Sequence, residues 1–211
     1  MDVTLYGADA GRAARCKWTL AEAGVDYTSI DRSDLASPGE PKPKSLADLV
    51  ELQRQYHPLG KAPVIVIDGQ TLFESAAVCT YIADRAPDAD IIARPGTFAR
   101  AQHDQWVSFC LTEMESWLWN SAVNTFVLPE DKRISAGLEQ NVMMFKRSAS
   151  VLDAHLTDRD YLVEDRFTVT DIIVGWCVNW GRREGHLDEC PALGRYLERL
   201  MARPHCALPR D

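Results

Sequence analysis

The chain has 211 residues, a formal net charge of −8 and 46% hydrophobic residues. That length allows one large domain or two small ones, and the apolar fraction suffices for a buried core, which argues against wholesale disorder. The acidic balance repels phosphate backbones and argues against nucleic acid as a partner, and no apolar run approaches the roughly 18 residues that would span a bilayer.

In chain order, Val3 to Tyr6 reads as a short strand. Ala13, Cys16, Leu20 and Ala23 then recur at helical spacing, and Gly24 suits the left-handed position that ends such a helix. Val25 to Ile30 alternates as a second strand, and a β-helix-β unit implies parallel pairing. Residues 31–45 carry four prolines or glycines and many charges, which predicts a surface loop. A short helix is expected over Leu46 to Gln55. Val64 to Ile67 is a β-branched strand, Asp68-Gly69 a hairpin turn, and Thr71 to Phe73 the return strand. A helix is expected from Glu74 to about Arg85.

Residues 86–97, APDADIIARPGT, shift to turn-formers and read as a linker. Beyond them no strand pattern stands out. Apolar stripes fall on Trp106, Phe109, Cys110, Trp117 and Leu118; on Val142, Phe145, Ala149, Leu152 and Leu156; on Ile172, Ile173, Trp176, Cys177 and Trp180; and on Leu193, Leu197 and Leu200. These predict a helical bundle. The domain reading is therefore residues 1–85, a linker over 86–97, and an all-helical part over 98–211.

Met1 leads straight into a strand pattern without a basic-then-apolar leader, so a cytoplasmic protein is expected. The six cysteines, Cys16, Cys79, Cys110, Cys177, Cys190 and Cys206, form no C-x-x-C pair and read mainly as small buried apolar residues. Neither they nor the scattered histidines show metal-ligand spacing, so no metal is expected.

Three local motifs carry chemistry. At Ala62-Pro63 a proline opens a strand, where it withholds a ladder hydrogen bond; a cis bond there would turn the Ala62 backbone toward an extended ligand. At Glu74-Ser75 a hydroxyl and the first N–H groups of a helix favour an anion, and the adjacent carboxylate can hold an ammonium. Together they suit an α-amino-acid head group, or else form an ordinary helix cap. Thr168-Val169-Thr170-Asp171 resembles a capping box with Asp in place of the usual Glu or Gln.

In this order and at these distances, the motifs resemble those of cytosolic glutathione transferases. The likeness runs over the whole chain. It is most specific in LGKAPVIVIDGQTLFESAAVCTYIADR, residues 59–85, and YLVEDRFTVTDI, residues 161–172. It implies an α/β plus all-α protein: a thioredoxin-like βαβαββα domain followed by a helical bundle. It implies glutathione as co-substrate, held by Lys61, Ala62, cis-Pro63, Glu74 and Ser75, and a homodimer. The activity implied is detoxifying conjugation of the glutathione thiol to a small hydrophobic electrophile.

The family's serine and cysteine types place their thiol activator in the loop after the first strand. Here Ala10, Gly11 or Arg12 stands there, so those types do not fit. The tyrosine type resembles Tyr6, Gly11, Arg12, Lys17 and Trp18 without a gap. On that match Tyr6 donates a hydrogen bond to the sulfur and Arg12 adds positive charge. Activation by Arg12 with the N–H groups of residues 10–12, or no activation, stays open. The absence of a loop cysteine argues against a thiol–disulfide oxidoreductase. The electrophile pocket is expected between the domains, bordered by the helix that bears Trp106, Phe109, Glu113, Trp117 and Trp119. The other reading is a non-catalytic member of the fold, serving binding or assembly.

Overall fold

The computed structural model describes residues 1–9, 11–36 and 43–210, which form two compact units, Met1–Ile92 and Ala93–Asp211. The first unit contains β1 (Val3–Tyr6), α1 (Ala13–Glu22), β2 (Thr28–Ile30), α2 (Leu46–Gln53), β3 (Val64–Ile67), β4 (Gln70–Phe73) and α3 (Ser75–Arg85). The sheet order is β2-β1-β3-β4, with β1 and β2 parallel and the other pairs antiparallel. This is the thioredoxin-like arrangement. The β3–β4 turn has positive φ at both Asp68 (49°) and Gly69 (80°), the geometry whose twist matches a tight hairpin. Helices α1 and α3 pack together, with Cys16, Leu20, Val78, Cys79 and Ile82 fully buried.

Several boundaries differ from the sequence expectation. Strand β2 begins at Thr28, not Val25, because this edge strand pairs only with β1, over Thr28 to Ile30. A 3₁₀ turn, Arg32–Leu35, interrupts the expected loop, of which residues 37–42 lie outside the described residues. Helix α2 ends at Gln53 and starts with a reciprocal capping box between Ser45 and Asp48. Glu74 is not helical: it is the N-cap of α3, with φ 68°.

The second unit begins with one long helical run: α4 (Phe98–Phe109), a π-helical segment (Cys110–Glu115), α5 (Ser116–Ala122) and a second π segment (Val123–Val127). Its buried residues include Trp106, Cys110, Met114, Leu118 and Ala122, a spacing of four. A pure α-helix rotates such a stripe off its face, and the wider i→i+5 turns of the π segments bring it back. Trp117 therefore leaves the expected stripe and is half-buried. Helices α6 (Leu138–His155), α7 (Val169–Arg183) and α8 (Pro191–Met201) complete the unit.

Helix α7 is the centre of this core; Ile172, Ile173 and Cys177 are fully buried, while Trp176 and Trp180 lie half-buried against each other. Thr168 and Asp171 form the capping box at its start. Asp171 Oδ2 accepts from the Thr168 N–H (2.8 Å), and Oδ1 accepts from the Leu162 N–H (3.1 Å) and the Tyr196 hydroxyl (3.0 Å). His103 on α4 hydrogen-bonds Thr170 at 2.9 Å. Among the described residues, no helix is long and apolar enough to cross a membrane.

Candidate functional site

The strand register gathers three distant segments at one end of the sheet. Tyr6 pairs with Val64, and Val64 pairs with Phe73. The chain leaves Tyr6 into the Gly7 loop, enters Val64 from Pro63, and leaves Phe73 into Glu74 and Ser75. The Ala62–Pro63 peptide is cis. Ala62 is half-buried, Pro63 is buried and Lys61 is exposed.

At the start of α3, Glu74 is exposed, and its positive φ is uncommon for a residue with a side chain. Such conformations recur at ligand clamps. Ser75 is the first helical residue, and its Oγ accepts a hydrogen bond at 3.2 Å from Nη1 of Arg15. Arg15 is fully buried on α1. The N–H groups in the first turn of α3 have no intrahelical acceptor, and they share this end with a buried guanidinium.

The loop after β1 is fixed from outside. Asp9 accepts from the Arg32 N–H (2.8 Å) and from Arg32 Nε and Nη2 (2.9 and 2.7 Å). Burial works to raise the Asp9 carboxyl, but the hydrogen bonds and charge of Arg32 outweigh it and hold the group below its ordinary value. Gly7 has φ 70°, and a Cβ there would stand 2.4 Å from Ala62 Cβ. The loop and the Ala62 segment thus touch backbone to side chain. Arg12 occupies the N-cap of α1. Ala10, part of the alternative activator, lies outside the described residues.

Tyr6 is half-buried, and its ring stacks on Tyr56 with centroids 4.0 Å apart. Burial, then a hydrogen bond with Tyr6, pushes the Tyr56 phenol up. His57 is buried beside Phe73, and its Nδ1 accepts from the Leu59 N–H at 3.0 Å. Burial pulls its pKa down; the nearby Glu74 carboxylate works against this and Lys61 with it. His57 is therefore a neutral imidazole whose Nε2 carries the proton.

Arg15, Tyr56 and His57 were not singled out by sequence reasoning. The only signal for Arg15 was a cation one position from Cys16 on the buried face of α1. Cys16 and Cys79 hydrogen-bond each other; that bond and then burial push the Cys16 thiol well up, which leaves it a poor nucleophile. Of the aromatics expected to border an electrophile, Trp106 is buried in its own unit against His155 (4.5 Å between ring centroids). Phe109, Trp117 and Trp119 are half-buried, and Glu113 is exposed.

Both halves of the chain match one class of protein. Residues 1–84 match the family described as "Glutathione S-transferase, N-terminal domain", and residues 117–204 match "Glutathione S-transferase, C-terminal domain". The chain belongs to the cytosolic glutathione S-transferase superfamily. It is 27% identical over 149 residues to glutathione S-transferase GST-4.5 of Xanthomonas campestris, covering 70% of this chain and 73% of that protein. It is 26% identical over 159 residues to elongation factor 1-gamma 3 of Oryza sativa, covering 72% of this chain but 36% of that one. Among solved structures it resembles a glutathione transferase family member from Pseudomonas fluorescens with two glutathione bound. The TM-score is 0.75 at 25% identity, covering 97% of this chain and 90% of the other.

Proposed function

We propose that the chain binds glutathione at the Tyr6–Ser75 end of its sheet and promotes attack of the thiolate on a small hydrophobic electrophile. The observation that carries this reading is the Arg15–Ser75 hydrogen bond at the start of α3. Ser75 accepts from Arg15, so its own proton is left to donate to a carboxylate. Arg15 and the first N–H groups of α3 add positive potential at the same point. Glu74 stands next in sequence and is exposed to receive an ammonium. An acid and an amine on one carbon fit this pair, which is the γ-glutamyl head of glutathione. The Ala62 backbone, opened by cis-Pro63, pairs with the middle of the tripeptide, and Lys61 takes the glycine carboxylate.

A thiol such as that of glutathione has a pKa near 8.5, so little is ionised at neutral pH. Tyr6 donates its hydroxyl proton toward the sulfur. Tyr56, stacked on the Tyr6 ring, holds that ring in place. Arg12 contributes positive charge at the same loop. With a chlorinated nitroaromatic, the thiolate lone pair forms a C–S bond, chloride leaves with the electron pair of the C–Cl bond, and the thiol proton goes to solvent. The test follows conjugate absorbance from glutathione and several such electrophiles. Rates above buffer are expected, and rates equal to buffer with all of them overturn the catalytic reading.

The second reading is a non-catalytic binding or assembly module. It is favoured by the loop without serine or cysteine and by the relative that bears the name of an elongation factor. Calorimetry separates the two: the module predicts no heat with glutathione, the transferase predicts binding. The homodimer and the detoxifying role implied by the resemblance, and the cytoplasmic location expected from the sequence, belong to the same proposal. Sedimentation equilibrium tests the first of them.

A further inference from the structure

We propose that Cys110, Glu115 and Cys177 form a binding site for a thiophilic divalent cation of the zinc type. Their two thiol sulfurs and a carboxylate oxygen lie within 4.8 Å of one another. All three residues are buried, Cys110 and Cys177 completely. All belong to the second unit, so the site does not depend on the glutathione reading.

The backbone explains how the ligands meet. Cys110 and Glu115 are the first and last residues of the π segment, five positions apart. In an α-helix two such residues point about 140° apart. The i→i+5 turn of a π segment stacks them on one face instead, and such segments recur at functional sites. The segment packs against α7, which supplies Cys177 from the facing side. The π turn costs regular helical pairing and converts an unremarkable spacing into a convergent donor set.

The chemistry selects the ion. Two thiolates favour zinc-like soft cations over magnesium or calcium, which take oxygen ligands. Three protein ligands leave one position of a tetrahedron for a further donor. Binding releases protons from the two thiols. One cation against two thiolates and a carboxylate leaves a net charge of −1, between the neutral Cys₂His₂ and the −2 of Cys₄ sites.

The test uses Co²⁺ as a coloured stand-in for Zn²⁺. The full-length protein is stripped with chelator, then equilibrated with Co²⁺, and in a parallel arm refolded from denaturant with Co²⁺ present, because the site is buried. One equivalent is expected to bind, with thiolate-to-cobalt charge-transfer absorption that Zn²⁺ abolishes. Cys110→Ser or Cys177→Ser is expected to remove that absorption, and Cys206→Ala to leave it. Glu115→Gln keeps both sulfurs and serves where a cysteine variant fails to fold. It is expected to retain the absorption but weaken binding by more than about tenfold, beyond the smallest loss typical of an outer-shell partner. Absence of charge-transfer absorption in both arms overturns the proposal. So does its persistence in a folded Cys110→Ser/Cys177→Ser protein.

Discussion

Nη1 of Arg15 reaches the Ser75 hydroxyl at 3.2 Å across 60 positions of sequence, tying the buried face of α1 to the first residue of α3. The bond gives the helix start a donor with a fixed direction and a positive charge behind it. In the proposed complex it acts through Ser75 on the ligand carboxylate.

Arg15→Met removes the charge and the bond while filling similar space with apolar atoms. A hydrogen bond to a charged group is worth about 1.5–3 kcal/mol. Glutathione affinity should therefore fall roughly ten- to a hundredfold. Calorimetry measures it, with circular dichroism to confirm the fold. An unchanged affinity would reduce Arg15 to a packing role. Ser75→Ala should fall by a similar factor, and the double variant by less than the product, since the two act as one unit.

Tyr6 and Tyr56 give a second prediction. Tyr6→Phe should raise the pKa of the bound glutathione thiol by about one unit or more, because one hydrogen bond to the thiolate is lost. Thiolate absorbance against pH reads this directly. Tyr56→Phe keeps the Tyr6 hydroxyl but frees its orientation, so a smaller rise is expected. If Tyr6→Phe leaves the thiol pKa where it was, activation passes to Arg12 and the neighbouring backbone.

Gly7 supports the same site from below. Gly7→Ala would put a Cβ 2.4 Å from Ala62 Cβ at a backbone φ of 70°. Strain and overpacking together should cost about 1–3 kcal/mol, read as a lower urea midpoint. The Gly7→Ala/Ala62→Gly pair removes the methyl collision but not the conformational cost. It should recover part of the stability, and no recovery at all would assign the whole effect to φ.

The sequence made the sheet legible because hairpin and strand signals are local: Val64 to Ile67, then Asp68-Gly69. It likewise exposed Glu74-Ser75 and the Thr168–Asp171 cap, each a short pattern with its own mechanism. Arg15 escaped because an arginine on a helix is ordinarily solvated, and only the fold decides that this one is buried. Gln53 escaped for the same reason; it is fully buried beside Gly7, with neither amide atom hydrogen-bonded among the described residues. Trp117 was placed on the core stripe by α-helical counting, and the π turn moved it off. The same counting hides Cys110 and Glu115, whose five-residue spacing converges only where the helix widens.

Asp171 yields a pH prediction whose sign is opposite to that of most paired carboxylates. Burial pushes its carboxyl up to about 6, against the hydrogen bonds from Thr168, Leu162 and Tyr196 that pull it down. The unfolded reference is 3.8. Between those values the folded state binds the proton more tightly than the unfolded chain. This group's contribution is therefore greatest at low pH and is lost as pH rises through about 6. Asp171→Asn cannot titrate and should lose stability at every pH, since its amide NH₂ would face the Thr168 N–H that the carboxylate accepts. In urea unfolding, wild type should gain about 1 kcal/mol on this variant between pH 7.5 and pH 5. A pH-independent difference would place the Asp171 pKa below that window and show that its four hydrogen bonds outweigh burial.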